Sequence, residues 1–372
     1  MARNRLLKLL DTILVPALAL ISGLIVMGIL ILLIRKPLFE SYAILFSTGF
    51  GCEKYGDCIF ITALERATPL ILTGLSAVVA FRSGMFSIGQ EGQYLVGAVA
   101  AAWLGYIIHL PPVLHPLMLM AAAMLAGAAY GWIPGILKVK LGVNELLATI
   151  MLNSIAALVT EHLVQFPMRA DKSTTAHSPV IDKTAYLPSF LPGSNWGVGF
   201  VIAVIAVIAV YVYLWHTKSG YEQRMAGQSK MFALYGGIRS DQSAIRAMLI
   251  SGALAGLAGA VEVMGVHHRI MTGFSTGLGF DGLTSAILGQ VNPIGVFIVA
   301  ILFSGLKLGA QLGLQLQLDI PRELGGTIIG FIILFVAAGR LYQENITRLR
   351  DWFNRRSDRN LKGEKEAHGR IL

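Results

Sequence analysis

Long apolar runs separated by short polar loops follow one another along most of the 372 residues of this chain. A helix that spans a bilayer needs about 20 consecutive apolar residues, and several of these runs approach or exceed that length. The pattern therefore predicts about ten transmembrane elements. We place them at residues 12–34, 62–81, from the glycine-rich stretch to 108, 113–137, 144–164, 197–214, 247–266, a short or broken element around 283–288, 296–316 and 324–341.

The composition of the chain is typical of the same class of protein. Hydrophobic residues make up 55% of the chain and charged residues only 14%, with a mean hydropathy of +0.66. A soluble domain carries about 25% charged residues. A transmembrane β-barrel would show short alternating segments instead of long continuous runs. We therefore predict an all-α, polytopic helical membrane protein, with residues 1–341 forming its transmembrane domain.

Positive charge is concentrated at the N-terminus, in the loop 216–246 and in the tail 342–372. Because cytoplasmic segments of membrane proteins are enriched in Lys and Arg, all three are predicted to lie in the cytoplasm. Ten crossings place both ends of the chain on that side, provided that the short eighth element crosses. The net charge of +9 thus reports orientation and does not indicate a nucleic-acid partner.

The stretch 84–97 is apolar overall but carries Gln90, Glu91, a second glutamine and four glycines. A carboxylate is costly in hydrocarbon, so Glu91 is expected to face a bundle interior, a cavity or a helix end. Glycines permit a membrane helix to break, and broken helices commonly form substrate sites in transporters. The alternative is that Gln90 and Glu91 only cap the N-terminus of a helix.

A second polar group lies at the start of the fifth predicted span. Asn144 and Glu145 open that span, and Asn153 follows about two turns later, near the same helix face. These side chains either line a pathway or serve as a helix cap and an interhelical hydrogen bond. Glu262, Asp281 and Lys307 also lie in or near apolar segments, and such residues are functional candidates by default.

Regularly spaced glycines occur in several spans, including Gly127, Gly131, Gly252 and Gly256. Small residues four apart allow helices to approach closely in lipid. These spacings predict a tightly packed bundle and carry no information about a substrate.

The loop 217–238 contains a short apolar segment between polar neighbours. Ser229 is suited to cap a helix over Lys230–Tyr235, and Gly236-Gly237 is suited to end it. Met231, Phe232, Leu234 and Tyr235 make this helix apolar although its loop is predicted to be cytoplasmic. An apolar helix on such a loop indicates a docking surface for another protein. The alternative is a helix that lies in the membrane interface.

No phosphate-binding Gly-x4-Gly-Lys-Ser/Thr motif occurs in the chain, so an ATPase that drives it would be a separate protein. The two cysteines, Cys52 and Cys58, share one polar loop and either form a disulfide or remain free thiols. The cysteines do not match a metal-binding Cys-x-x-Cys pattern. His267 and His268 follow the end of a predicted span and are expected to lie at the membrane interface. We predict no metal site and no catalytic residues.

Four segments together resemble a known family. They are Phe-Ser-Ile-Gly-Gln-Glu-Gly-Gln at 86–93, Asn-Glu-Leu-Leu-Ala-Thr-Ile-Met-Leu-Asn at 144–153, the loop 217–238, and Gly-Phe-Asp-Gly-Leu-Thr-Ser-Ala-Ile-Leu-Gly at 279–289 with Asn-Pro-Ile-Gly at 292–295. In this order they resemble permease subunits of bacterial ABC importers, in the branched-chain amino acid, ribose and nucleoside permease family. The Gly-Gln-Glu-Gly-Gln form is most similar to the nucleoside branch.

The resemblance implies an inner-membrane permease without cofactors, whose ATP is bound by a partner ATPase. It also implies a second related permease in a heterodimer or homodimer, and an extracytoplasmic solute-binding lipoprotein. Ribose-like sugars and branched-chain amino acids remain alternative substrates, and an ion-coupled secondary transporter is the rival class. Pathway candidates are Gln90, Glu91, Asn144, Glu145, Asn153 and Phe280. Candidates for contact with the ATPase are Gly220, Arg224, Gly227, Lys230, Met231, Phe232, Tyr235 and Gly237.

Overall fold

The computed structural model describes residues 22, 25–29, 31–52, 58–170, 175–191, 193–274, 277–318 and 330. In these ranges the regular elements are helices, and only isolated β-bridges occur beside them. The predicted all-α fold class is thereby confirmed. The chain divides into two compact units, one of residues 44–313 and one of residues 1–43 with 314–372. The site described below lies entirely in the first unit.

The helices in the described ranges are numbered here in chain order. They are α1 (Leu38–Phe50), α2 (Ile59–Arg82), α3 (Gln90–Ile107), α4 (Leu114–Leu141), α5 (Glu145–Gln165), α6 (Val198–His216), α7 (Lys218–Gln228), α8 (Lys230–Tyr235), α9 (Ser240–Glu262), α10 (Leu278–Leu288), α11 (Pro293–Leu308) and α12 (Gln315–Leu318). A 3₁₀ turn at Lys183–Ala185 and π-helical turns at Val263–His267 and Gly309–Leu314 occur beside them, and residues 25–29 and 31–33 are also helical.

Six helical segments in the described ranges are long and apolar enough to cross a membrane, and α10 is a shorter apolar helix of 11 residues. The six are Ile59–Arg82, Leu114–Leu141, Glu145–Gln165, Val198–His216, Ser240–His267 and Pro293–Leu318. The total of about ten remains a prediction. Most of the first and all but residue 330 of the tenth predicted span lie outside the described residues.

Two differences from the predicted layout have clear local causes. The predicted spans leave residues 35–61 as a polar loop, whereas residues Leu38–Phe50 form helix α1. Its charged residue, Glu40, lies in the first helical turn, where a carboxylate interacts favourably with the positive end of the helix dipole and stabilises the helix. Helix α9 begins at Ser240, whereas the predicted span begins at 247, because the first two turns of the helix are polar and a search for apolar runs leaves them out.

Close backbone contacts at glycines hold the centre of the bundle together. A side chain at Gly127 of α4 would overlap the carbonyl oxygen of Gly252 in α9, and one at Gly97 of α3 would overlap Gly256. The predicted glycine faces therefore meet one another, with α9 packed between α3 and α4. This packing brings the N-terminal end of α3 into the interior.

Candidate functional site

Two side chains of α5 hold the non-helical segment that leads into α3. The Asn153 side chain accepts a hydrogen bond from the Gly92 backbone N–H at 2.9 Å and donates one to the Ile88 carbonyl at 2.8 Å. The Thr149 hydroxyl accepts from the Ile88 N–H at 3.2 Å. Irregular backbone inside a membrane protein requires such partners, since hydrocarbon offers none. The 144–153 segment thus shapes the start of α3 through these two side chains.

Glu91 connects the beginnings of two helices. It lies in the first turn of α3, and its carboxylate accepts hydrogen bonds from the backbone N–H groups of Gly277 at 3.3 Å and Gly279 at 2.6 Å. Those groups belong to the N-terminus of the short helix α10. Only 3% of Glu91 is exposed, and a side chain at Gly279 would overlap it. The carboxylate is therefore stabilised by two helix dipoles and by direct N–H donors.

Several polar atoms next to Glu91 are buried without a hydrogen-bond partner among the described residues. They are both amide atoms of Gln90, the amide oxygen of Gln93 and the hydroxyl of Tyr94. All three side chains lie within the first two turns of α3 and are almost completely inaccessible. A buried polar atom without a partner costs about 1–3 kcal/mol, so native proteins contain few of them, and a group of four such atoms on two turns of one helix is notable. This polar cluster, Gln90, Gln93 and Tyr94, is the candidate site for polar solutes.

Aromatic rings lie beside the polar cluster. Phe274 stacks on Tyr94 with ring centroids 5.8 Å apart, and His267 contacts Phe274 edge-on at 5.4 Å. His267 also pairs with Glu262 at 3.3 Å. The sequence indicated Gln90 and Glu91 but not Gln93, Tyr94 or Phe274. For Gln93 and Tyr94 the available signal was their spacing of three and four residues from Gln90.

The other predicted pathway residues lie in different surroundings. Asn144 is exposed and caps α5 by accepting from the Leu146 N–H at 2.9 Å. Glu145 pairs with Lys138 of α4 at 2.7 Å. Phe280 is 44% exposed on the first turn of α10. The role of all three in a pathway remains a prediction. The contact of Asn144 is the helix cap that the sequence analysis gave as the alternative to a pathway role.

An ion pair joins the two helices that follow the polar cluster. Lys307 of α11 donates to the Asp281 carboxylate in the first turn of α10. Each charge thus has an opposite charge beside it, which lowers the cost of placing both in an apolar segment. The pair fixes α10 to α11, in the same way that Glu91 fixes α10 to α3.

The loop 216–246 forms two helices, α7 and α8, before α9 begins. Ser229 caps α8 by accepting from the Phe232 N–H at 3.3 Å, and Gly237 ends it with a φ of 71°. The predicted helix over Lys230–Tyr235 and its cap are therefore confirmed. Four of its six side chains are large, apolar and mostly exposed: Met231 at 65%, Phe232 at 61%, Leu234 at 68% and Tyr235 at 85%.

Helix α7 is fixed to the bundle, whereas α8 faces outwards. Gln223 donates to the Val79 carbonyl of α2 at 2.5 Å, and Gly227 lies against the backbone of Arg82 and Gly84. Gly220 lies against the end of α6, and Arg224 lies over the ring of Trp215 at 5.6 Å. Gly220, Arg224 and Gly227 are therefore bundle contacts. Lys230, Met231, Phe232 and Tyr235 present the exposed surface.

The cysteines and histidines do not form a metal centre in the described part of the chain. Cys52 and Cys58 are joined as a disulfide, with their Cα atoms 4.0 Å apart. His268 stacks on Tyr186 at 3.8 Å between ring centroids. No group of three or more His, Cys, Asp or Glu residues is arranged to hold a metal ion within the described ranges.

An apolar helical bundle with a short helix beside a buried polar cluster, and with an apolar helix exposed on a polar loop, is typical of a membrane transport subunit. The comparison with known families agrees with this class. Residues 59–337 match the family described as the permease component of the branched-chain amino acid transport system, and the chain belongs to that family. The family resemblance seen in the four segments is thereby confirmed.

Curated relatives extend over most of the chain. A guanosine ABC transporter permease of Bacillus subtilis is 36% identical over 90% of this chain and 95% of its own length. A nucleoside ABC transporter permease of Lactococcus lactis is 31% identical over 87% of this chain and 90% of its own. A glucose ABC transporter permease of Haloferax volcanii is 30% identical over 79% of each. No solved structure matches the chain. The chain is a multi-pass permease subunit of an ABC transporter.

Proposed function

We propose that this chain is the permease subunit of an importer that carries nucleosides or closely related solutes across the bacterial inner membrane. The observation that carries the coupling to ATP is the exposed apolar face of α8. A secondary transporter driven by an ion gradient needs no such surface on a cytoplasmic loop. The nucleoside assignment is supported by the two relatives whose names specify guanosine and nucleosides.

The polar cluster has the chemistry that a nucleoside requires. Gln90 and Gln93 offer amide donors and acceptors, and the Tyr94 hydroxyl offers both. A nucleobase edge and ribose hydroxyls present the matching groups. The aromatic ring of Phe274 stacks on Tyr94, and exposed Phe280 lies three residues into α10. These rings are suited to contact a base or a sugar face.

In the proposed transport cycle an external binding protein delivers the solute, and a separate ATPase binds at α8. Closure of the ATPase moves α7 and α8 together, since Ser229 joins them directly. Contacts from α7 to α2 and to the Gly84 turn then carry that movement towards the start of α3. We propose that both chain ends lie in the cytoplasm and that a second permease completes the complex.

The exposed face of α8 gives the first test. In the complete complex in proteoliposomes, Met231→Asp is expected to abolish ATP-driven uptake and substrate-stimulated ATP hydrolysis, while the permease still inserts. A carboxylate on the apolar face prevents its burial against the ATPase. Gln228→Asp, which adds the same charge to an exposed position of the same loop, is the control and should transport normally.

Normal coupling in Met231→Asp would refute the docking assignment. Uptake of labelled guanosine, glucose and leucine by the wild-type complex decides between the substrate classes. Uptake driven by an ion gradient without ATP would instead establish a secondary transporter. Simple sugars are the second candidate because a glucose permease is among the relatives.

A further inference from the structure

The corner between α10 and α11 has an unusual backbone. Gln290 and Val291 have φ angles of 55° and 54°, and no other two adjacent non-glycine residues in the described ranges share this left-handed region. The region is unfavourable for residues with a Cβ, and a β-branched residue such as Val291 is a clear outlier there. Strained residues of this kind persist only where neighbouring structure holds them, and they cluster at sites that switch.

One residue from outside the corner holds it in place. The Arg82 Nε–H of α2 donates to the Val291 carbonyl oxygen at 2.9 Å. The remaining bonds are local: the Gln290 N–H donates to Ile287 at 3.0 Å, and the Val291 N–H donates to Ala286 at 2.9 Å. Local bonds move with α10, so among the described residues Arg82 supplies the hydrogen bond that ties the corner to a helix other than α10 and α11.

The other face of Arg82 meets the last turn of α6, which contains Trp215, and the helix α7 that follows it. Its guanidinium lies over the Trp215 ring at 5.3 Å, and Arg224 of α7 lies over the same ring at 5.6 Å. Two like charges near one ring repel each other, and the aromatic face partly offsets that repulsion. Gly227, three residues beyond Arg224, packs against the Arg82 carbonyl. A shift of α7 therefore changes the surroundings of Arg82 directly.

We propose that Arg82 is a positioning residue that transmits the movement of α7 and α8 to the strained corner at Val291. This inference rests on the proposed ATP-driven function. When α7 moves, the Trp215 stack changes, the bond to the Val291 carbonyl is released and the corner relaxes. Because α10 is bonded to Glu91 at its opposite end, relaxation of the corner alters the helix that borders the polar cluster.

The test compares uptake per ATP hydrolysed in the complete complex in proteoliposomes. Arg82→Met keeps an apolar stem over Trp215 but removes the donor and the charge. We expect basal ATP hydrolysis within twofold of the wild type and uptake per ATP reduced tenfold or more. Lys140→Met also replaces a positive side chain with methionine, at an exposed position at the end of α4, and it should leave uptake per ATP unchanged.

A substitution at the corner itself separates this role from a merely structural one. Glycine adopts the left-handed region without steric cost, so Val291→Gly removes the strain that the corner releases while its backbone carbonyl still accepts from Arg82. We expect Val291→Gly to lower uptake per ATP about tenfold, and the double variant Arg82→Met/Val291→Gly to lower it no further than either single variant. Intact coupling in Arg82→Met or in Val291→Gly, or additive losses in the double variant, would overturn the proposal.

A second variant covers the case in which Arg82→Met does not assemble. Trp215→Leu leaves the Arg82 hydrogen bond in place but removes the ring shared with Arg224, and it should also lower uptake per ATP about tenfold. An unchanged ratio would overturn the proposal. A wild-type complex that takes up no solute in response to ATP would instead refute the proposed function.

Discussion

Replacing Glu91 with glutamine tests whether the joint between α3 and α10 serves transport. The substitution preserves the shape of the side chain but removes its charge and one of its two acceptor oxygens. In the structure both oxygens are used, one by the Gly277 N–H and one by the Gly279 N–H. The amide oxygen of the glutamine keeps one of these two bonds. Its NH₂ group takes the place of the other oxygen and cannot accept from the backbone N–H there, so that bond is lost.

The magnitude follows from these contacts. A hydrogen bond to a charged group contributes about 1.5–3 kcal/mol, and a neutral one about 0.5–1.5 kcal/mol. Losing one charged bond and weakening the other removes roughly 3–4 kcal/mol, and the lower desolvation cost of an amide returns part of it. A net loss of about 2 kcal/mol shifts the equilibrium between the joined and separated states of α3 and α10 by about 30-fold.

The assay is nucleoside uptake by the reconstituted complex, together with thermal unfolding of the purified complex. We expect Glu91→Gln to reduce uptake at least tenfold while the complex still assembles. Glu161→Gln is the matched control, since the half-buried Glu161 also accepts a backbone N–H, that of Gly273, at 3.3 Å in a solvent-exposed hydrogen bond. Full transport by Glu91→Gln with a lowered unfolding temperature would show that Glu91 only caps a helix.

Two further predictions concern the stability of the bundle. Gly252→Leu places a side chain where the Gly127 backbone lies, so we expect the purified complex to unfold at a clearly lower temperature, and an unchanged temperature would contradict the close packing of α4 and α9. Lys307→Met leaves the Asp281 charge without its partner and should lower the unfolding temperature more than the double variant Lys307→Met/Asp281→Asn does. Equal losses in the two variants would show that an Asp281 carboxylate without its partner carries no extra cost at this position.

Local signals in the sequence were sufficient for most helices and for one precise feature. Helix α8 has the predicted limits because Ser229 supplies the cap and Gly237 supplies the left-handed residue that ends it. The long apolar runs gave α2, α4, α5 and α6 to within a few residues, since burial in lipid requires them. These signals act within a few residues of the position they specify.

Local signals failed where polar residues enter helices. The first two turns of α9 are polar, and α1 is short and contains Glu40, so neither resembles a membrane span. Each has a carboxylate in its first turn, Glu40 in α1 and Asp241 in α9, which interacts favourably with the helix dipole and which a hydropathy pattern does not record. The strain at Gln290 and Val291 likewise has no sequence signal, because neither residue is one that normally favours the left-handed region.

The amino-acid sequence alone established the membrane class, the helical architecture, the family and the residues whose burial needs an explanation. It could not identify their partners. Glu91 bonds to a backbone group 188 positions away, and Arg82 to one 209 positions away. These contacts depend on the depth and rotation at which glycine-lined helices pack. Tertiary structure therefore decided that Glu91 joins two helix N-termini, that Gln90 lies in a buried polar cluster, and that Arg82 connects α7 to the corner that follows α10.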